Sequence, residues 1–425
     1  MTTQQSRPAS APETAASGST EPTPTSARSD AGEAPVVSPV RAWTAVVALA
    51  FGVFSFVTAE LVPVGLLPSI AGGVDVSVGT AGFLVTGFGL LAAVTAAPLT
   101  TLCGSIDRKV LMAGLLVFYV LGNVLASVAG SYAVLLLGRL VVALAHGVFW
   151  SIAAAIAVRL VPSRHAVRAT SIVLSGISLA AVFGVPLDTV LGQHAGWRAA
   201  FLAVSAVGLL VLVALMLTMP NLPAQGHGRL GTLFRVLRNG RLRTAVAVTG
   251  LVMVGHFLAF TYITPFLETV TGIATGTVAV LLLVFGAAGI VGNFLGGALV
   301  NHTVRGALLG ALGVMTVVMA LLWAFGDFPG AAVTLVLLWG LAYAAIPVGL
   351  QTWILRLAKE ESDAASSLYV AAFNGAIAVG SLIGGLIVDT PAGPRALVGI
   401  ATALVAGALG VLLLSGRNRA RAGTD

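Results

Sequence analysis

Charged side chains are scarce in this chain. Of its 425 residues only 9% are Asp, Glu, Lys or Arg, whereas 58% are hydrophobic. A soluble domain carries about 25% charged residues, and a soluble fold of this size could not cover its surface with so few. The basic residues behind the net charge of +7 are confined to short loops and tails, which argues against nucleic-acid binding. The composition therefore predicts a polytopic membrane protein.

Motifs of catalysis and of metal or nucleotide binding are also missing. Cys103 is the single cysteine, which excludes an internal disulfide and a cysteine-based metal site. The histidines show neither HxxxH nor HExxH spacing, and no GxxxxGK[ST] loop for ATP is present. We therefore expect neither an enzyme nor an ATP-driven pump, and we expect no metal and no cofactor.

Most of the sequence consists of long apolar runs. Twelve continuous runs of about 20 residues are each long enough to cross the ~30 Å hydrocarbon core. Continuous rather than alternating runs predict helices, because open sheet edges cannot face lipid. The expected fold class is an all-α membrane protein with transmembrane helices 1 to 12 at 43–67, 80–102, 110–129, 133–157, 169–192, 198–219, 244–267, 277–300, 307–326, 330–353, 366–388 and 395–415.

The basic residues predict the orientation of these helices. Nineteen of the 22 Lys and Arg residues lie in the tails and in alternate loops, whereas Arg198 and Arg395 lie in loops on the opposite side. The remaining one, Arg139, lies inside helix 4. An excess of basic residues marks the cytoplasmic side. We therefore predict a multi-pass plasma-membrane protein with both termini in the cytoplasm.

The chain also divides into regions. Residues 1–40, rich in Ser, Thr, Ala and Pro, predict a disordered cytosolic tail. The longest basic connection, 220–243, separates a first bundle at 41–219 from a second bundle at 244–415, and 416–425 forms a basic tail.

The two bundles resemble each other in sequence. The segment that begins at Arg159 reads RLVPSRHAVRATSIVLSG, and the segment that begins at Arg356 reads RLAKEESDAASSLYVAAF. Each starts with Arg-Leu, passes through a polar loop and enters a helix rich in small residues. Likewise TAELVP at 58–63 aligns with FTYITP at 260–265. The chain therefore predicts two six-helix pseudo-repeats with a substrate site near the midplane between them.

Three ionisable residues lie inside the predicted helices. At a rise of 1.5 Å per residue, Glu60, Arg139 and Asp188 all fall in the outer third of the bilayer. A charge at a helix centre costs roughly 2.5–3.5 kcal/mol, so such residues pair or face a cavity. Our hypothesis is that Arg139 is held by Glu60, Asp188 or both, and that the acid exchanges a proton for substrate. A static pair that fixes helix packing is the alternative, and it is the preferred interpretation for Asp188.

Polar and aromatic side chains in several spans are candidates for a substrate cavity, because such sites place a few polar groups on apolar walls. Hydrogen bonding between helices is the alternative role for each of them. The candidates are His146, Trp150, His256, Tyr262, Asn293, Tyr343, Gln351 and Asn374.

Four motifs occur in the predicted order along the chain. They are AELVPVGLLPSIA at 59–71, the loop at 103–110 that contains Asp107-Arg108, LLLGRLVVALAHGVFW at 135–150, and SGISLAAVFGVPLDTVLGQHAGWRAAF at 175–201. With them, residues 43–415 resemble the major facilitator superfamily. Within it, the chain is similar to the twelve-helix drug:proton antiporter branch and its arabinose-efflux-like and chloramphenicol-efflux-like group.

The resemblance implies roles for several further residues. Gly138 and Gly147 match the helix-4 motif, and Gly184 and Pro186 match the helix-5 antiporter motif, where the resemblance implies close packing. Asp107, Arg108 and Arg305 match loop positions of a cytosolic gate. Cys103 and Val110 replace the glycines usual in the first gate loop.

We therefore expect a proton-coupled exporter of a small organic compound such as a drug, metabolite or sugar derivative, with a role in drug resistance. Its partners would be this compound, protons and the lipid bilayer, and a monomer would suffice. The proton gradient would supply the energy. A uniporter or importer of a sugar-like solute is the alternative, and a non-transporting membrane sensor is disfavoured because no sizeable soluble domain is present.

Overall fold

A computed structural model describes residues 38–224, 238–358 and 362–421 of the protein. Within these ranges the regular structure is helical throughout, and no strand occurs. The predicted tail at 1–40 lies outside the described residues up to position 37, as does 225–237 of the predicted linker. Residues 422–425 of the predicted basic tail lie outside them as well.

The described residues contain twelve helices that are long and apolar enough to cross a membrane, which confirms the predicted number. Two of them, α5 and α7, are built from more than one helical segment. The bounds are α1 Pro39–Gly73, α2 Val78–Leu102, α3 Arg108–Ser127, α4 Tyr132–Leu160, α5 Ala166–Leu179 with Ala180–Gly184 and Val185–Ala195, α6 Trp197–Thr218, α7 Gly240–Phe260 with Ile263–Thr269, α8 Thr275–His302, α9 Val304–Phe325, α10 Pro329–Leu357, α11 Ser362–Ile387 and α12 Gly393–Arg421.

Helix α1 is longer than predicted and contains two internal prolines. It begins at Pro39, where the Ser38 side chain accepts a hydrogen bond from a main-chain N–H of the first turn. Pro63 and Pro68 do not end the helix. Because proline has no N–H, each leaves the carbonyl four residues earlier without its helical donor. The freed carbonyls belong to Ala59 and Val64.

Two spans that the sequence predicts as continuous are interrupted. In α5 a π-helical turn, Ala180–Gly184, comes directly before Pro186. In α7 the helix stops at Phe260 and resumes at Ile263, just before Pro265. A proline removes one main-chain hydrogen bond from the helix, and a π turn or a break accommodates the loss.

The helix packing of α1–α6, the first half, recurs in α7–α12, the second half. In the first half α1 packs on α5 and α6, and α4 packs on α2 and α3. In the second half α7 packs on α11 and α12, and α10 packs on α8 and α9. Between the halves, α2 packs on α11 and α5 packs on α8. Each contact thus has a counterpart six helices away, as a duplicated unit requires.

Matching arginine clamps show the same repeat in detail. Arg198, at the start of α6, donates to the carbonyl of Ala129 at the end of α3. Arg395, at the start of α12, donates to the carbonyls of Trp323 and Ala324 at the end of α9. A basic group there satisfies carbonyls that the helix end leaves free. Before each clamp the chain turns at a glycine of positive φ, 85° at Gly196 and 58° at Gly393.

The two halves meet closely at one end of the bundle. There Thr264 donates to the carbonyl of Val64 at 2.8 Å, and Gln193 donates to the carbonyl of Thr275 at 2.7 Å. At the same end Asp389 accepts from the N–H of Gly79 at 2.9 Å. We call this the sealed end, defined by those three contacts. It carries the C-terminal end of α1.

Towards the opposite end the halves separate. A Cβ atom at Gly286 of α8 would collide with the carbonyl of Ala181 in α5, so these helices touch at that level. Asn293 lies seven residues further along α8, on the same face, yet it is exposed. Leu174, seven residues before Ala181, is exposed as well. The space between the halves therefore opens towards the end that carries the start of α1.

Candidate functional site

Arg139 is fully buried and donates hydrogen bonds to the main chain of α1. Its guanidinium donates to the carbonyl of Ala59 and, at 2.9 Å, to the carbonyl of Glu60. The Ala59 carbonyl is the one that Pro63 deprives of a helical donor. Its Cζ also lies 4.4 Å from the ring centroid of Phe88, a cation–π distance. The buried arginine thus supplies the donor that Pro63 cannot give to the Ala59 carbonyl.

The carboxyl of Glu60 lies beside a histidine. Its Oε2 is 3.8 Å from Nε2 of His146, and both side chains are buried. Its other oxygen, Oε1, has no hydrogen-bond partner among the described residues, and neither has Nδ1 of His146. A buried carboxyl and an imidazole with unused capacity can pass a proton between them or bind a polar group.

One face of α4 carries the site. Arg139 and His146 are seven residues apart, which is two turns on the same face, and Trp150 follows one turn later. The ring of Phe88 from α2 lies 5.1 Å from His146 as well as beneath Arg139. Trp150 is only half-buried, with its ring 6.1 Å from His146. The face therefore runs from the buried arginine towards the open end of the bundle.

Asp188 is buried in α5, about one turn nearer the sealed end than Glu60. It lies between Gly184, which touches Thr58, and Thr189, which touches Gly65. Its Oδ2 has no hydrogen-bond partner among the described residues. A carboxyl in such surroundings is strongly disfavoured as an unpaired anion.

In this conformation Arg139 forms no ion pair within 4 Å with the carboxyl of Glu60 or Asp188 in the described part of the chain. There the close pairs of ionisable groups are Arg395–Asp327 and the Glu60 carboxyl with His146, whose ring is charged only if protonated. The guanidinium instead donates to the main-chain carbonyls of Ala59 and Glu60, and Pro63 leaves the first of these free to accept. Its charge still acts on the Glu60 carboxyl through space.

In the second half an aromatic stack surrounds His256. The Tyr343 ring lies parallel to His256 with centroids 3.4 Å apart, and Phe260 and Phe285 continue the stack. Trp339 packs edge-on against His256 at 5.4 Å. Tyr343 is half-buried.

Comparison with known proteins agrees with this architecture. The family model described as Major Facilitator Superfamily matches residues 49–366. The chain belongs to the major facilitator superfamily. Proteins of this superfamily are transporters rather than enzymes, and the fold supports secondary transport by alternating access of a site between two halves.

Solved structures of superfamily transporters have the same fold. A bacterial homolog of the human lysosomal transporter Spinster, inward-facing and unoccupied, matches with a TM-score of 0.71 at 16% identity, covering 89% of this chain and 98% of that one. Its occupied form gives 0.72 at 16% identity, covering 89% and 97%. A point mutant of the nucleoside transporter NupG gives 0.72 at 12% identity, covering 87% and 98%. At these identities the likeness shows the fold alone.

Tyr262, one of the predicted cavity residues, lies in a helix contact in this conformation, whereas Asn374 is half-buried and bonds within its own helix. Tyr262 is fully buried at the break in α7, where its hydroxyl donates to the carbonyl of Ser381 and its ring fills a gap left by Gly384. It therefore belongs to the sealed end in this conformation. Asn374 donates to the carbonyl of Val370 in its own helix.

Two further candidates lie at the surface of the described structure. Asn293 on α8 and Gln351 on α10 are exposed. Asn293 lies on the face of α8 that turns towards α5, two turns from their contact. It remains a candidate for substrate binding, as does Gln351.

The predicted gate residues of this superfamily member make contacts within their own halves. The Asp107 carboxylate caps α3 by accepting from the N–H of Lys109 at 2.8 Å. Arg108 donates to the carbonyls of Cys103 and Gly104. Arg305 donates to the carbonyls of Leu412 and Leu413 near the end of α12. A gating role in another conformation stays a prediction.

The motif glycines lie at close helix contacts. A Cβ at Gly138 would meet the main chain of Gly122 and Ala126 in α3, and one at Gly147 would meet α2 at Ala92 and Ala96. At Gly184 it would collide with the Thr58 side chain of α1. Pro186 follows one turn of π helix at that same contact.

We expect Gly138→Ala to destabilise the protein by about 1–3 kcal/mol, because backbone atoms that cannot move aside face the new methyl group. Gly114 on α3 is the matched control, since a Cβ there meets nothing within 4 Å. Gly114→Ala should leave the thermal unfolding midpoint of the purified protein unchanged or raise it slightly. Equal midpoints for the two variants would contradict the tight α3–α4 contact.

Sequence reasoning missed a polar group beside the site. The hydroxyl of Tyr119 in α3 is buried, donates to the carbonyl of Ser55 at 2.8 Å and lies 2.7 Å from the Ser55 Oγ. It also interacts electrostatically with Asp188 and Arg139. The signal in the sequence was a pair of polar residues in the apolar span of α3, Tyr119 and, one turn later, Asn123.

Proposed function

We propose that the protein is a proton-coupled exporter that exchanges protons for a small organic compound by alternating access. The observation that best supports this proposal is the position of Glu60. It lies one turn before Val64, the α1 residue that joins the two halves at the sealed end. A carboxyl there is the deepest acidic group reached from the open end along α1.

The surroundings of Glu60 suit a coupling site. Arg139 supplies a fixed positive charge without occupying the carboxyl, and His146 lies within 4 Å of it. The carboxyl can therefore hold a proton or face a substrate, and only one of these at a time. Because each occupant favours a different conformation, movement of one drives movement of the other.

The predicted orientation assigns the open end to the cytoplasm, where the basic loops lie. The conformation described above would then be inward-facing, with substrate entering from the cytoplasm of the cell and leaving across the plasma membrane. We further propose that a single chain suffices and that the proton gradient is the energy source. Drugs, secreted metabolites and sugar derivatives all fit a site with apolar walls and one principal acid.

A facilitator or importer is the second candidate. Two solved neighbours support this second candidate, because they are a nucleoside transporter and a homolog of a lysosomal transporter rather than drug exporters. At 12–16% identity their substrates do not transfer to this chain.

Everted membrane vesicles that contain the protein test the proposal. The vesicles are energised, and a panel of chloramphenicol-like drugs and pentoses is added while the internal pH is recorded. An antiporter should leak protons when one compound is added, and an uncoupler should stop accumulation of that compound. Compound movement that an uncoupler leaves unchanged, with no proton leak, would instead establish a facilitator. Vesicles without the protein are the control.

A further inference from the structure

We propose that Asp389, Thr264 and Gln193 form a latch at the sealed end that sets the balance between the two conformations, with Asp389 as its strongest part. Each of these side chains bonds to the main chain of the opposite half. The proposal rests on alternating access but not on proton coupling.

Asp389 caps a helix that belongs to the other half. It follows α11, and its carboxylate accepts from the N–H of Gly79 in the first turn of α2. The Ser77 side chain accepts from the N–H of Thr80 in the same turn. Helix α2 is therefore capped jointly by its own serine and by an aspartate of the second half.

The charge of Asp389 strengthens this contact. A carboxylate at a helix N-terminus interacts favourably with the partial positive charge of the free N–H groups. No basic side chain lies within 4 Å of Asp389 in the described part of the chain. The start of α2 is thus its main electrostatic partner, and that partner departs if the halves separate.

Thr264 uses a second carbonyl that a proline has freed. Pro68 cannot donate to the carbonyl of Val64, and the Thr264 hydroxyl does so at 2.8 Å. Thr264 is almost fully buried. If the halves separated without water reaching this carbonyl, it would be left without a donor, so the contact favours the sealed state.

Glycines allow the helices to come close enough for these bonds. A Cβ at Gly79 would meet both the carbonyl of Gly385 and the Asp389 carboxylate, and one at Gly82 would collide with the Tyr262 hydroxyl. The contact between α2 and α11 therefore leaves no room for side chains at these positions. Because α2 and α11 lie this close together, Asp389 accepts from a main-chain N–H of α2 rather than from a side chain.

These three bonds exist only when this end is closed, because each joins the two halves. A contact present in one of two conformations shifts their ratio by its own free energy. Weakening the latch should therefore populate the conformation that opens at this end. Contacts within one half should have no such effect.

The experiment measures the separation of the halves by spin labels. Gly130 and Gly330 lie at the same end of the bundle, one in each half, and a Cβ at either meets nothing within 4 Å. We would label Gly130→Cys and Gly330→Cys in a Cys103→Ser background and record distance distributions for purified protein. Asp389→Ala, Asp389→Asn and Thr264→Val are the test variants. Asp327→Asn is the matched control, because Asp327 pairs with Arg395 inside the second half.

We expect Asp389→Ala to raise the ratio of long to short distances by about tenfold or more, as loss of a charge-assisted hydrogen bond predicts. Asp389→Asn keeps an acceptor oxygen and should have a smaller effect, and Thr264→Val should shift the ratio in the same direction. The control should match the parent. Distributions unchanged in Asp389→Ala and Thr264→Val, for protein that elutes as the parent does, would overturn the latch. No substrate or proton gradient is used, so failure here is separate from failure of antiport.

Discussion

Replacing Arg139 by methionine is expected to abolish transport and to lower the free energy of unfolding by roughly 1–3 kcal/mol, since the buried carbonyl of Ala59 loses the donor that Pro63 cannot supply. Methionine fills a similar volume but donates no hydrogen bond. The carbonyl of Ala59 would be left without a donor, the carbonyl of Glu60 would keep only the helical N–H of Val64, and Glu60 would lose the positive charge of Arg139. Unfolding of the purified protein in detergent measures the first effect, and vesicle flux measures the second.

Two further variants distinguish the loss of the positive charge from the loss of the hydrogen bonds. Arg139→Lys keeps the charge but has a compact ammonium that cannot fork to two carbonyls, so its stability should lie between methionine and arginine. Pro63→Ala restores an N–H for the Ala59 carbonyl. Combined with Arg139→Met, it should recover about 1 kcal/mol of the lost stability. If the double variant is no more stable than Arg139→Met alone, the proline-freed carbonyl is not what the arginine satisfies.

The sequence was sufficient for the helices and for the position of the unusual charges. Continuous apolar runs predict spans because lipid offers no hydrogen bonds to the backbone. Glu60 and Arg139 stand out in such runs because nothing but a specific partner makes a buried charge tolerable. Both signals depend only on residues that are neighbours in the chain, so they can be recognised in a single sequence.

The partner of Arg139 was not predicted because the argument paired side chains with side chains. The relevant signal was nonetheless in the sequence. Pro63 and Pro68 free the carbonyls of Ala59 and Val64, and these carbonyls bind Arg139 and Thr264. A proline inside a span therefore predicts an acceptor four residues earlier, although the donor that reaches it depends on the packing of other helices.

The position of Tyr262 could not be predicted from the sequence for a different reason. Alignment of the halves places it opposite Glu60, and this predicts a cavity position. In the structure α7 breaks at Thr261 and Tyr262, whereas α1 continues through the equivalent residues. The break turns the tyrosine into the α2–α11 contact. Equivalent positions in a repeat thus diverge where one copy keeps its helix and the other does not.

Replacing Glu60 by glutamine is expected to lower compound-driven proton movement by about 100-fold, at the strong end of coupling energies between two ligands. Glutamine has nearly the same shape but cannot take up or release a proton. The fold should survive, because Arg139 binds the main-chain carbonyl of residue 60 and not its carboxyl. Loss of coupling would therefore not reflect loss of structure.

Two assays on the same vesicles distinguish coupling from transport. Substrate-induced change of internal pH reports coupling, whereas exchange of labelled for unlabelled compound reports alternating access without net proton movement. Glu60→Gln should lose the first and keep a measurable part of the second. Glu60→Asp keeps the carboxyl but draws it back from His146, so we expect partial coupling.

Glu268→Gln is the matched control, because Glu268 lies in the segment of α7 at the sealed end and is only half-buried. It should behave as the wild type in both assays. If Glu60→Gln retains full substrate-induced proton movement, Glu60 is not the coupling group, and Asp188 is the other buried acid among the described residues. If Glu60→Gln loses exchange as well, the carboxyl acts in substrate binding or in the conformational change itself.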